Sequence, residues 1–174
     1  MKNDLCWTKT ILTVYKYLER ISGAIDKIVE KSALASFNII GQNYHNNNTL
    51  SISNKIIELS ERKVTLINLK VLVEQTFLEI SEKDAQILIE KYVDGRKTIE
   101  VADRFELSLR TCFRRIASAE NSFKSKLCAK GYNDTKIADM LKDEGWIVRA
   151  YNNIATKEGE FEISNSYLEK AVSM

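Results

Sequence analysis

The chain has 174 residues, 44% hydrophobic and 29% charged, which supplies enough apolar side chains for a packed core and excludes general disorder. Its net charge is +2, from 26 Lys/Arg against 24 Asp/Glu, too mild by itself to point to nucleic acid. Proline is absent, so long helices can run uninterrupted and a proline-rich linker is excluded.

Residues 7–35 are predicted as a long helix. Ile11, Leu18 and Ile25 recur every seven residues, and Val14, Ile21 and Ile28 interleave three positions later. This is an a/d heptad pattern over about three repeats, weakening at Ser32 and Ala35. Gly23 inside it costs about 1 kcal/mol relative to alanine, so packing must hold the helix. The seam suits packing within one monomer as well as an intermolecular coiled coil. Residues 36–49, with Gly41, Tyr44 and three consecutive asparagines at 46–48, are predicted as a polar loop. That loop carries His45, the single histidine, to which no role is assigned.

Residues 51–78 carry two apolar stripes. Ile52, Leu59, Leu66, Val73 and Ile80 recur every seven residues, and Ile57, Val64, Val71 and Leu78 form a second set with the same period. Two stripes predict a helix covered on more than one side, folded back antiparallel on the first helix and touching the helices after residue 80. The β-branched run 64–73 leaves a strand as the competing local reading. Charged residues at helical spacing (Glu58, Glu61, Arg62, Lys63, Lys70, Glu74) favour helix.

Residues 80–130 organise the rest and read as three helices. Ser81 caps the first, with Asp84 in its first turn, and Ala85, Leu88, Ile89 and Tyr92 face inward before Gly95 stops it. Thr98 is expected to cap the second, whose inward residues are Val101, Ala102 and Phe105. Glu106 and Leu107 make the turn, and Ser108 caps the third. There Cys112, Ile116, Ala119 and Phe123 form the core stripe, while Arg110, Arg114, Ala117 and Asn121 point the opposite way. Residues 107–130 hold six Lys/Arg (Arg110, Arg114, Arg115, Lys124, Lys126, Lys130) against Glu120, a local net of +5. The remainder of the chain therefore sums to −3, and the positive charge is concentrated here.

Beyond this, Gly131 ends the third helix and Asp134 is expected to cap a short helix with Ile137, Met140 and Leu141 inward, stopped by Gly145. Trp146, Ile147, Val148 and Tyr151 are expected to pack against Phe113 and Phe123. From Thr156 the chain turns polar, with a weak last helix at 166–172 and a fraying end.

The middle stretch resembles a known family. In residues 80–126, Val101-Ala102, Phe105, Leu107-Ser108, Thr111-Cys112 and Arg114-Arg115-Ile116 fall in one ungapped frame, preceded by Lys91-Tyr92-Val93-Asp94-Gly95. This is similar to region four of bacterial sigma factors and of the sigma-like phage and Firmicute regulators. The sequence departs from the family at Glu106, where glycine is usual, and at Phe113, where a polar or basic residue is common. The resemblance implies a helix-turn-helix on promoter-type DNA, with RNA polymerase as a further partner. The first 79 residues show heptads rather than the region that melts promoter DNA in complete sigma factors, so a phage or mobile-element regulator is expected.

The expected fold is all-α: a long N-terminal helical hairpin (1–79), a helix-turn-helix domain (80–131), a helical extension (132–155) and a flexible tail (156–174). No P-loop, G-x-G-x-x-G, H-E-x-x-H or zinc-spaced cysteine set is present, so no enzyme, cofactor or metal is expected. The N-terminus has no basic-then-apolar leader, and no run of about 18 apolar residues spans a bilayer. Three cysteines, odd in number and without a C-x-x-C pair, suit reduced thiols in a cytoplasm.

Double-stranded DNA is the expected partner. Arg110 and Arg114, one turn apart, can each donate two hydrogen bonds to guanine, and short neighbours (Ser108, Thr111, Ala117, Ser118) admit the helix to a major groove about 12 Å wide. Arg115, Lys124 and Lys126 suit phosphates, as do Arg96, Lys97 and Arg104 around the preceding helix. The N-terminal helices are a route to a homo-oligomer. Two other readings stay open: a small terminase-like DNA-packaging subunit, which would form large rings, and an anti-sigma-like helical scaffold, which would not need Arg110 or Arg114.

Overall fold

The computed structural model describes residues 6–40 and 47–156, and every regular element among them is helical. Two long helices, α1 (Cys6–Ile40) and α2 (Asn47–Glu79), precede five shorter ones. The β-branched run 64–73 is helical throughout, as its flanking charges required. Residues 36–40 and 47–49, expected as loop, are helical. α1 continues to Ile40 and α2 begins at Asn47, because the first residue hostile to helix after Ala35 is Gly41. Residues 41–46, including His45, and the expected tail with its weak helix at 166–172 lie outside the described residues.

By compactness the chain divides within both long helices, after Lys16 and after Leu69, whereas the break between helices falls near 80. One unit contains residues 17–40 and 47–69. Its core takes Leu18, Ile21 and Ile25 from α1, three of the predicted seam residues, and Leu59, Leu66 and Leu69 from α2. Lys63 on α2 pairs with Asp26 on α1 at 2.5 Å. The second apolar stripe of α2 is not covered here, contrary to expectation: Ile57 and Val64 are exposed.

The other unit contains residues 6–16 and 70–156. α3 (Glu82–Leu88) starts at Ser81, whose hydroxyl accepts from the Asp84 amide at 3.2 Å. It runs into a single π-helical turn, Ile89–Val93, in which the Asp94 amide reaches back five residues to the Ile89 carbonyl at 2.9 Å. Leu88 is buried as expected, Ala85 and Tyr92 are half-buried, and Ile89 is exposed while Ile87 is buried in its place. Gly95 takes the left-handed conformation, φ 68°, where a Cβ would stand 3.2 Å from Lys16 Nζ.

α4 (Thr98–Arg104) is capped by Lys97 rather than Thr98. The Glu100 carboxylate reaches back to the Lys97 amide at 3.0 Å, which places the helix boundary one residue earlier. Val101 and Ala102 are buried and Phe105 is half-buried. α5 (Leu109–Ala129) begins at Ser108, whose Oγ accepts from the Thr111 amide. It ends in a Schellman motif: Gly131, at φ 80°, donates to the Cys128 carbonyl, and Tyr132 donates to that of Leu127, both at 2.9 Å.

α6 (Asp134–Leu141) is capped by Asn133 rather than Asp134, through an acceptor 2.9 Å from the Lys136 amide. Gly145 opens α7 (Gly145–Thr156) instead of stopping α6, and the Glu144 carbonyl receives the amides of Ile147 and Val148. Trp146 and Ile147 are buried as expected, with the indole N–H donating to Glu144 Oε2 at 3.0 Å. Their expected partner Phe113 is exposed instead, because it lies outside the buried stripe of α5. Tyr151 stacks on Trp7 at 4.3 Å, and Phe123 packs edge-on to Phe77 at 5.2 Å.

Candidate nucleic-acid interface

α3 and α4 both pack on α5, and this packing decides which side of α5 faces outward. Cys112, Ile116, Ala119, Phe123 and Leu127 are buried. Arg110, Arg114, Arg115, Ala117, Ser118 and Asn121 are exposed. None of the three arginines has a hydrogen bond or ion pair among the described residues. Guanidinium groups left without a carboxylate are available to an incoming acceptor at no cost in broken pairs.

The remaining site residues are placed differently. Ser108 and Thr111 are joined hydroxyl to hydroxyl at 2.8 Å, and both serve the start of α5. Lys97 and Lys126 are exposed. Lys124 is half-buried and bound to Asp134 at 3.0 Å. Arg96 and Arg104 converge on Glu90, at 2.5 Å and 3.1 Å from its two carboxylate oxygens. Glu90 was not singled out in the sequence, since nothing in its spacing separates it from other surface carboxylates. It fixes two cations from different segments beside α4, and Lys91 adds a bond to the Arg96 carbonyl at 3.4 Å.

Glu120 is the second unforeseen residue. It is only 3% exposed, accepts a hydrogen bond from the Tyr92 hydroxyl and lies 3.5 Å from Lys9 Nζ. A signal for this existed: Glu120 falls four residues after Ile116 and three before Phe123, inside the core arc of the helical wheel. Burial, then the negative charge of Glu120 and its hydrogen bond, push the Tyr92 phenol well above its ordinary value of 10.0. Since Glu120 is the acid in residues 107–130, its burial leaves the outward side of α5 without a carboxylate. Phe113, noted in the sequence for its departure from the family pattern, is 56% exposed between Cys112 and Arg114 and so presents an apolar ring next to the arginines.

Behind this face, Cys112 points its thiol toward the Thr98 carbonyl at 3.7 Å, tying α5 to the start of α4. Burial raises its pKa, and the nearby Lys91 charge acts in the opposite direction. Among the described residues no group of three or more His, Cys, Asp or Glu is arranged to hold a metal ion, and no helix is long and apolar enough to cross a membrane. Compared with protein-family models, curated proteins and solved structures, the chain matches none.

Proposed function

We propose that this chain is a sequence-specific, DNA-binding transcription regulator of the phage or mobile-element kind. In this reading α4, the turn at 105–108 and α5 form a helix-turn-helix similar to sigma region four, supported by α3. The observation that carries it is the set of exposed arginines, Arg110, Arg114 and Arg115, which among the described residues are unpaired and lie on a face of α5 with small neighbours and no carboxylate. α5 enters the major groove, where Arg110 and Arg114 read guanine O6 and N7. Arg115, Lys126 and Lys97 bind phosphates. Arg96 and Arg104, held by Glu90, and Lys124, held by Asp134, reach phosphates only by sharing their present carboxylates, so they contribute less. The N-terminal α1 and α2 form a helical hairpin, supported by one lateral bond within each unit, Lys63–Asp26 and Tyr15–Glu74. RNA polymerase is the further partner this reading carries.

The test is fluorescence anisotropy with random-sequence duplex DNA across a salt series, comparing the natural chain with Arg114→Ala/Arg115→Ala. The logarithm of the binding constant is expected to fall linearly with log salt, by about 0.9 for each phosphate neutralised. The double variant is expected to bind more weakly with a shallower slope. Absence of binding at about 50 mM salt, where nonspecific affinity is strongest, overturns the reading.

A further inference from the structure

The outward face of α5 is not purely cationic. Phe113 is 56% exposed, and Leu109, one turn earlier, extends the apolar strip toward the start of the helix at 44% exposed. This row of two runs beside the row of Arg110 and Arg114, since residues four apart share a helix face. The protein covers the same side of α5 only further along. Glu120, seven residues after Phe113 and within about 20° of its direction, is 3% exposed and lies under Tyr92 and Lys9. Cover is therefore present over the later turns and absent over the first ones. The first turns of a recognition helix are the part that meets base edges.

Charge selects what covers Phe113. Its ring is bounded by Arg110 and Arg114, with Arg115 beside them, all exposed and without a carboxylate on that face of α5. A second copy of the chain would bring the same arginines against each other, and an apolar protein surface would bury guanidinium groups without partners. The major groove of duplex DNA offers both complements. Phosphates line its rims, and the 5-methyl group of thymine is an apolar contact on its floor. A phenyl ring neither donates nor accepts a hydrogen bond. Against cytosine N4, adenine N6 or guanine O6 and N7 it leaves a polar group desolvated and unpaired, whereas against the methyl group it leaves none. Phe113 and Arg114 point about 100° apart on a helix about 10 Å across, which sets their tips about 8 Å apart, near two base-pair steps of about 3.4 Å.

We propose that Phe113 is a specificity-determining residue that packs on the 5-methyl group of a thymine, within about two base pairs of a guanine read by Arg110 or Arg114; this inference rests on the DNA-binding reading above. The test uses duplexes that the natural chain selects from a random library, resynthesised with deoxyuridine in place of each thymine in turn. Deoxyuridine lacks only the methyl group. One such replacement, near an enriched guanine, is expected to weaken binding about four-fold, the value of one buried methyl group. Phe113→Ala should bind the thymine and uracil duplexes equally. It should also keep the salt slope of the natural chain on random duplex DNA, because it removes no phosphate contact, and its far-UV circular dichroism should be unchanged because the ring is exposed. A selected site without thymine near the guanines, uracil replacements that change nothing, or a thymine preference that survives Phe113→Ala overturns the proposal and leaves DNA binding standing. No binding to any duplex at about 50 mM salt overturns the DNA-binding reading, and this inference with it.

Discussion

The buried contact behind the candidate interface yields a ranked prediction. Glu120 is 3% exposed and has two partners: the Tyr92 hydroxyl, on the π-helical turn, and Lys9 Nζ at 3.5 Å, on a side chain that is itself 39% exposed. Tyr92→Phe removes one oxygen, keeps the ring in place and leaves a buried carboxylate short of its better-desolvated donor. A hydrogen bond to a charged group is worth about 1.5–3 kcal/mol, so that loss of stability is expected. Lys9→Met breaks the wetter contact and should cost less, about 1 kcal/mol or below once solvent screening is counted. Urea denaturation followed by fluorescence of the buried Trp146 measures both; at a slope of about 1–3 kcal/mol per molar, the Tyr92→Phe midpoint should fall by about 1 M. Alkaline pH supplies a second readout. The folded-state value of Tyr92 is raised, so the native chain holds a proton that the unfolded chain releases. Its stabilisation is complete below the ordinary value of 10.0 and is lost as pH climbs beyond it. Tyr92→Phe should therefore lose stability less steeply above about pH 10 than the natural chain. A cost below about 0.5 kcal/mol together with an unchanged alkaline slope would refute the reasoning, because the Tyr92 hydroxyl would then not be the donor that Glu120 depends on.

Backbone conformation and burial set the other outcomes. Glu106 holds φ 52° in the turn between α4 and α5, a conformation costing a side-chain-bearing residue about 1–2 kcal/mol. Glu106→Gly, after the entropy glycine loses on folding, should raise stability by about 0.5–1 kcal/mol, whereas Glu106→Ala should not. Thermal melting separates the two, and an equal effect contradicts the strain. The glycines of α1 and α5 should respond oppositely to alanine. Gly23 lies within α1 with open space at its Cβ, so Gly23→Ala should stabilise by about 1 kcal/mol. Gly131 at φ 80° closes the Schellman motif, so Gly131→Ala should destabilise by about 1 kcal/mol despite equally open space. Of the three thiols, Cys128 is exposed while Cys6 and Cys112 are buried, and burial raises Cys112 further from its reactive form. A thiol reagent at neutral pH should modify one cysteine quickly and two only on unfolding; fast modification of Cys112, located by peptide mapping, would contradict the packing of α4 against α5.

The helical character of the chain was legible because its signals agree: no proline, heptads in the first two helices, and a four-three-four apolar stripe in α5 that is buried as read. Helix boundaries were less legible. Lys97 rather than Thr98 starts α4, because the donor being satisfied is a backbone amide and the acceptor, Glu100, lies three residues downstream. On α2 the periodicity specified two stripes but not which of them the monomer covers, since both repeat every seven residues and coverage depends on the helix alongside. The largest gap concerns charge. Summed along residues 107–130, Glu120 offsets one of six cations, as any surface carboxylate would. In the folded chain that carboxylate is turned inward to Tyr92 and Lys9, while Arg110, Arg114 and Arg115 stay outside without partners among the described residues. A linear sum cannot register this, because it gives every charge the same weight. Folding divides the charges of α5 by direction, so the outward face is more strongly cationic than the composition of its helix.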